Sequence, residues 1–159
     1  MKKIILITLS LLFCINSFCQ NKPYNDKIDG EKQIKEAVAK AKQENKNVVC
    51  QVGGNWCKWC LRFTEFADNT KSIKDVVDKN FILIHVNYSK ENKNIKAMKM
   101  LSNPERFGFP VFVVLDSNGK VIHIQDSSFL EKDDGYDEQK TLRFLSNWTK
   151  HSVESINIK

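Results

Sequence analysis

The stretch that decides the fold is Val48-Val49-Cys50-Gln51-Val52-Gly53-Gly54-Asn55-Trp56-Cys57-Lys58-Trp59-Cys60. Val48 to Val52 is rich in β-branched residues and predicts a short strand. Gly53-Gly54-Asn55 interrupts it, as glycines and asparagine do between regular elements. From Cys57 onward the apolar positions Cys60, Leu61, Phe63, Phe66 and Ala67 suit a helix. The first cysteine of a Cys-x-x-Cys pair therefore falls where a strand turns into a helix.

That position has chemical consequences. The thiolate is the nucleophilic form of cysteine, and a free thiol has a pKa of about 8.5. Unpaired N–H groups at a helix start favour negative charge. Lys58 adds a neighbouring cation, and Cys60 one turn on can donate a hydrogen bond to the Cys57 thiolate. The i, i+3 spacing also brings the sulfurs close enough to bridge. Cys57 is then the exposed attacking cysteine, and Cys60, facing inward, resolves the mixed disulfide. An inert staple is the plainer alternative, but so short a loop removes little unfolded-state entropy. Half of a zinc site is another. It needs two more ligands from Cys50, His85, His123 and His151, none at a usual ligand spacing. Redox chemistry is the favoured reading of the three.

Working outward, Asp29 is placed to cap a helix starting near Gly30, with Ile34, Ala37, Val38 and Ala41 on one face. Asn45-Lys46-Asn47 ends it. After the Cys-x-x-Cys helix, Asn69 or Thr70 is expected to cap a further helix through Val76 and Val77. Phe81 to Val86 is a nearly continuous apolar run, which predicts a strand buried on both faces in mid-sheet. Asn87 to Asn94 is a loop, and Ile95 to Leu101 a short helix closed by Asn103-Pro104. Val111 to Leu115, the turn Asp116-Ser117-Asn118-Gly119 and the alternating Lys120 to Gln125 form a β-hairpin. Residues 126–136 are acidic and polar, which favours a solvated loop. Asp137 to His151 is expected to be one amphipathic helix with Leu142, Leu145 and Trp148. The order predicts an α/β fold, a central mixed sheet flanked by helices. Cys50 reads as a buried thiol packing like a small hydrophobe; His85, Phe144 and Trp148 read as structural.

At the start, Met1-Lys2-Lys3 precedes an apolar run from Ile4 to Ile15. This predicts a secretory leader over residues 1–19, cut between Cys19 and Gln20. The run is short for a membrane anchor, which needs about 20 apolar residues. Lipid attachment at Cys14 or Cys19 fits poorly, since phenylalanine precedes each. Removing Lys2 and Lys3 takes the formal charge from +6 to +4, with lysines dispersed along the chain. No basic block with interleaved aromatics points to nucleic acid. The domain organisation expected is a leader (1–19), a flexible lead-in (20–30), one domain (31–152) and a tail (153–159).

Trp56-Cys57-x-x-Cys60 after a strand, with Phe109-Pro110 ahead of a late hairpin, resembles the thioredoxin family over residues 31–150. The closer likeness is to exported bacterial thioredoxin-like proteins with a Trp-Cys-x-Trp-Cys site. The resemblance implies a thioredoxin-like sandwich and thiol–disulfide exchange on protein cysteines outside the cytoplasm, periplasmic or secreted. It implies protein substrates and a redox partner that donates or accepts electrons, with no cofactor and no metal. Reductase or isomerase work is favoured; a redox-inactive peptide-binding module and a metal-carrying dithiol are the alternatives. It also implies that Pro110 is a cis-proline facing the dithiol, that the backbone of Phe109 pairs with a substrate peptide, and that Trp56 flanks Cys57. Lys58 and Trp59 would support the site. Three departures stand out. Gln51 occupies a place where many thioredoxins have a buried Asp, Lys58-Trp59 replaces Gly-Pro, and the segment from Ser127 to Tyr136 is long and acidic.

Overall fold

The computed structural model describes residues 22–155. The expected leader, its cut after Cys19, and Cys14 and Cys19 all lie outside the described residues.

Helix α1 runs Gly30–Glu44. The Asp29 carboxylate accepts from Glu31 N at 2.9 Å and Lys32 N at 3.3 Å, satisfying two of the free donors at the helix start. Asn45 closes the helix in the left-handed region at φ 56°. Strand β1 spans Asn47–Gly53, α2 Lys58–Asn69, α3 Lys71–Asn80 and β2 Phe81–Asn87. The short α4 covers Ile95–Met100, and a 3-10 turn covers Pro104–Phe107. The hairpin is β3 (Val111–Leu115) and β4 (Val121–Asp126). After it come a 3-10 turn at Ser127–Leu130, a two-stranded ribbon β5 (Glu131–Lys132) and β6 (Gly135–Tyr136), then α5 (Glu138–Asn147) and α6 (Lys150–Ser155).

The sheet order is β2-β1-β3-β4, with β1 parallel to β2 and antiparallel to β3. Strand periodicity sorts side chains onto two faces. Val48, Cys50 and Val52 with Val111, Val113 and Leu115 pack against Ile34, Ala37 and Ala41 of α1 and Met98 of α4. Val49, Phe112 and Val114 pack against Phe63, Ile73, Phe144 and Leu145 of the helices opposite. This is the α/β sandwich, a mixed sheet between helical layers.

Four expectations change. Phe81 to Val86 is an edge strand; β1 and β3 are the fully buried ones. Its apolar run is explained by helices α1 and α3 covering its two faces. The lead-in, expected to be flexible, is docked where described. Tyr24 is 2% exposed, and Asn92 Nδ2 donates to Asp26 O and Ile28 O. Residues 126–136 are not simply solvated. Leu130 is buried, and the Tyr136 ring meets Phe63 edge-on at 4.9 Å. The last helix is two, broken at Trp148-Thr149 where Thr149 Oγ1 accepts from Ser152 N, and α6 runs past residue 152. The stacking of Trp148 on His123, centroids 4.3 Å apart, holds that break against β4.

Candidate active site

Cys57 is the residue that caps α2. Its sulfur accepts the backbone N–H of Cys60 at 3.1 Å. Cysteine is a weak cap when neutral and a strong acceptor as thiolate, so the helix start favours the charged form. In this structure Cys57 and Cys60 form a disulfide, with Cα atoms 5.2 Å apart. Cys57, expected to be exposed, is buried in the disulfide form at 6% exposure, and Cys60 is at 0%, because Tyr24 and Phe109 pack over the pair. Lys58, the first residue of α2, is exposed beside Cys57.

The loop between β1 and α2 shapes the mouth of the site. Tyr88 N donates to Gly53 O at 2.6 Å, carrying the β1–β2 pairing one step further. Trp56 folds back, and its indole N–H donates to Tyr88 O at 2.8 Å. A Cβ at Gly54 would collide with that indole, so a larger residue there would have to displace Trp56 from Tyr88 O. Trp56 is 58% exposed and meets the Phe109 ring edge-on at 5.4 Å. Phe109 also stacks on Tyr88 at 5.0 Å. The Phe109–Pro110 peptide bond is cis, and Pro110 is buried just ahead of β3. Trp59 lies on the other flank. It meets Tyr136 edge-on at 5.6 Å with the Arg62 guanidinium over its ring at 5.1 Å. Tyr136 donates to Trp59 O at 3.2 Å, so the acidic segment buttresses the cysteine helix.

Beneath the disulfide the floor is polar. Gln51 is fully buried, and its Nε2 donates to Cys60 O at 2.9 Å. Thr64 Oγ1 donates to the same carbonyl at 3.1 Å and pairs with His85 Nε2 at 3.1 Å. His85 sits opposite Gln51 in the β1–β2 register. Burial holds its imidazole below the ordinary range, partly countered by Asp68. Tyr24 packs against both cysteines and meets His85 edge-on at 5.1 Å.

Cys57, Cys60, Trp56, Phe109 and Pro110 thus converge at one end of the sheet, with Lys58 and Trp59 at its rim. Cys50, one strand position from Gln51, points away into the dry core, and burial pushes its thiol far up. Among the described residues, no three His, Cys, Asp or Glu side chains gather closely enough to hold a metal ion. Sequence reasoning missed Tyr88, which anchors Trp56 and stacks on Phe109, and also Tyr24. The signal for Tyr24 was faint: a lone aromatic after Pro23, in a polar stretch, whose partner Asn55 lies 31 positions away.

A family model described as thioredoxin-like matches residues 29–117, more than half of the chain. No curated protein sequence matches it. Among solved structures, the disulphide isomerase from Xylella fastidiosa Temecula1 is similar. It is 25% identical, with TM-score 0.70, over 80% of this chain and 96% of that one. A DsbH oxidoreductase shares the fold at 20% identity and TM-score 0.50, over 70% of this chain and 78% of that one.

Proposed function

This chain belongs to the thioredoxin-like family, and on that premise we propose that it is a thiol–disulfide oxidoreductase acting on protein cysteines outside the cytoplasm. The observation that carries the reading is the seat of Cys57. It caps α2, takes the Cys60 N–H on its sulfur, and belongs to the buried cluster against which Phe109, the residue before the cis peptide bond to Pro110, packs. In the reduced protein the Cys57 thiolate attacks a substrate disulfide. The bond between Cys57 and one substrate sulfur forms, and the other substrate sulfur leaves as a thiol or thiolate. Cys60 then attacks Cys57, the internal disulfide closes and the second substrate sulfur departs.

An extended peptide has a place to lie. Phe109 precedes β3, where an added strand can pair with its backbone. Trp56, Tyr88 and Phe109 form an aromatic wall beside the sulfurs. A hollow of about 440 Å³ next to Trp56, bounded by Tyr88, Lys90, Glu91 and Lys93, offers room for a residue flanking the substrate cysteine. The similarity to a disulphide isomerase supports reductase or isomerase work over net oxidation. The leader expected at residues 1–19 supports an exported protein, periplasmic or secreted. Among the described residues no helix is long and apolar enough to cross a membrane.

The test is insulin reduction driven by dithiothreitol, comparing the protein with Cys57→Ser. Losing the nucleophile lowers the rate by roughly 10³-fold or more. Equal rates contradict the proposal.

A further inference from the structure

Two buried polar atoms at the floor of the site lack a hydrogen-bond partner: Tyr24 Oη and Gln51 Oε1. Leaving such a group buried without a partner is costly, and phenylalanine would fill the space of Tyr24 without it. The hydroxyl lies over Gly53, where an added Cβ would sit 3.2 Å from Tyr24 Oη and collide with the Cys60 sulfur. Tyr24 is packed against Cys57 and Cys60. Its backbone is clamped to the cysteine loop itself. Asn55 Oδ1 accepts Tyr24 N at 3.3 Å, and Asn55 Nδ2 donates to Tyr24 O at 2.6 Å. The ring is steadied by His85. A whole segment ahead of α1 is thus held so that one phenol shares the buried cluster of the two cysteines, its hydroxyl and the Cys60 sulfur both next to Gly53.

We propose that Tyr24 is a catalytic residue of the exchange reaction, its hydroxyl donating a hydrogen bond to the Cys60 sulfur as that sulfur becomes a thiolate. The inference rests on the exchange reading above. A disulfide sulfur is a poor acceptor, so the donor is idle in the oxidised form; a thiolate is a strong one. Cys60 is fully buried, and a buried thiolate without a donor is expensive. Gln51 has no proton-accepting group of the needed strength, and its amide nitrogen is already committed to Cys60 O and Thr64 Oγ1. Burial pushes the Tyr24 phenol far up, with Gln51 pulling it back in part, so Tyr24 stays protonated and acts as donor. The resolving step then balances. Cys60 gives up its proton, its sulfur bonds to Cys57, and the bond from Cys57 to the substrate sulfur breaks. The departing substrate sulfur ends as a thiol carrying one proton, while Tyr24 keeps its own.

The test uses the reduced full chain with glutathione disulfide as oxidant, acid quenching and mass spectrometry. Two steps are resolved: capture of glutathione on Cys57, and its release as the Cys57–Cys60 bond closes. Tyr24→Phe is expected to slow release about tenfold near neutral pH and to raise the pH midpoint of release by about one unit, a tenfold change in proton affinity. Capture stays within twofold, and the melting temperature is not lowered, since an unpartnered hydroxyl is removed. Release within twofold of the parent with an unmoved midpoint overturns the proposal, as does equal slowing of capture and release. If Tyr24→Phe fails to fold, Asn55→Ala frees the tethered segment instead, with the same expected slowing of release and the same overturning results. Failure of the parent protein to capture glutathione on Cys57 overturns the exchange reading itself, a distinct outcome.

Discussion

Cys50 and Gln51 are neighbours in β1 and face opposite worlds. Cys50 points into a dry layer of Val48, Val52, Val113 and Ile34. Gln51 points to the layer of α2, where it reaches the Cys60 carbonyl and Thr64 at the floor of the disulfide. One thiol is kept inert by burial without polar partners, while the other two are set at a helix start with N–H and O–H groups around them. The alternation of a single strand separates these environments. On the exchange reading proposed above, reactivity follows which face of the sheet a cysteine occupies, more than its distance along the chain.

The largest expected effect that sharpens this contrast comes from the dry face. Cys50→Ser buries a hydroxyl where no partner waits, at a cost of about 1–3 kcal/mol. Thermal melts are expected to fall by several degrees while insulin reduction per folded molecule is unchanged. A loss of exchange rate with intact stability would mean that Cys50 belongs to the reactive layer after all.

A smaller effect comes from the polar face. Burial lowers the His85 pKa in the folded protein, so between the folded value and the unfolded value of about 6.5 the unfolded chain binds more protons. Stability from neutral His85 is therefore fully present above about pH 6.5 and is lost as pH falls toward the folded pKa. Melting temperatures taken from pH 7 down to pH 5 are expected to fall more for the parent than for His85→Gln. Parallel curves would show that His85 is not held neutral by its surroundings.

Much of this was legible in the sequence. The Asp29 cap, the strand-to-helix junction at Cys57, the Asp116–Gly119 hairpin and the family's proline all rest on local chemistry or on a compact motif. What was not legible depends on contacts far apart in sequence. Phe81 to Val86 reads as a central strand because α1 and α3 cover it, although no strand pairs with its outer edge. The 126–136 segment is polar in composition, yet Leu130 and Ser127 are buried in it and Tyr136 packs on Phe63. Tyr24 is invisible as a site residue because Asn55, Gly53 and His85 make it one, and each lies 29 or more positions away.

The most direct test of the central claim is the reduction potential of the Cys57–Cys60 pair, measured by equilibrium with glutathione buffers. A working exchange dithiol of the reductase or isomerase kind is predicted to lie between about −270 and −180 mV, the span from thioredoxin to protein disulfide isomerase. A value below about −300 mV, the range of structural disulfides, would make the pair a staple and contradict the account.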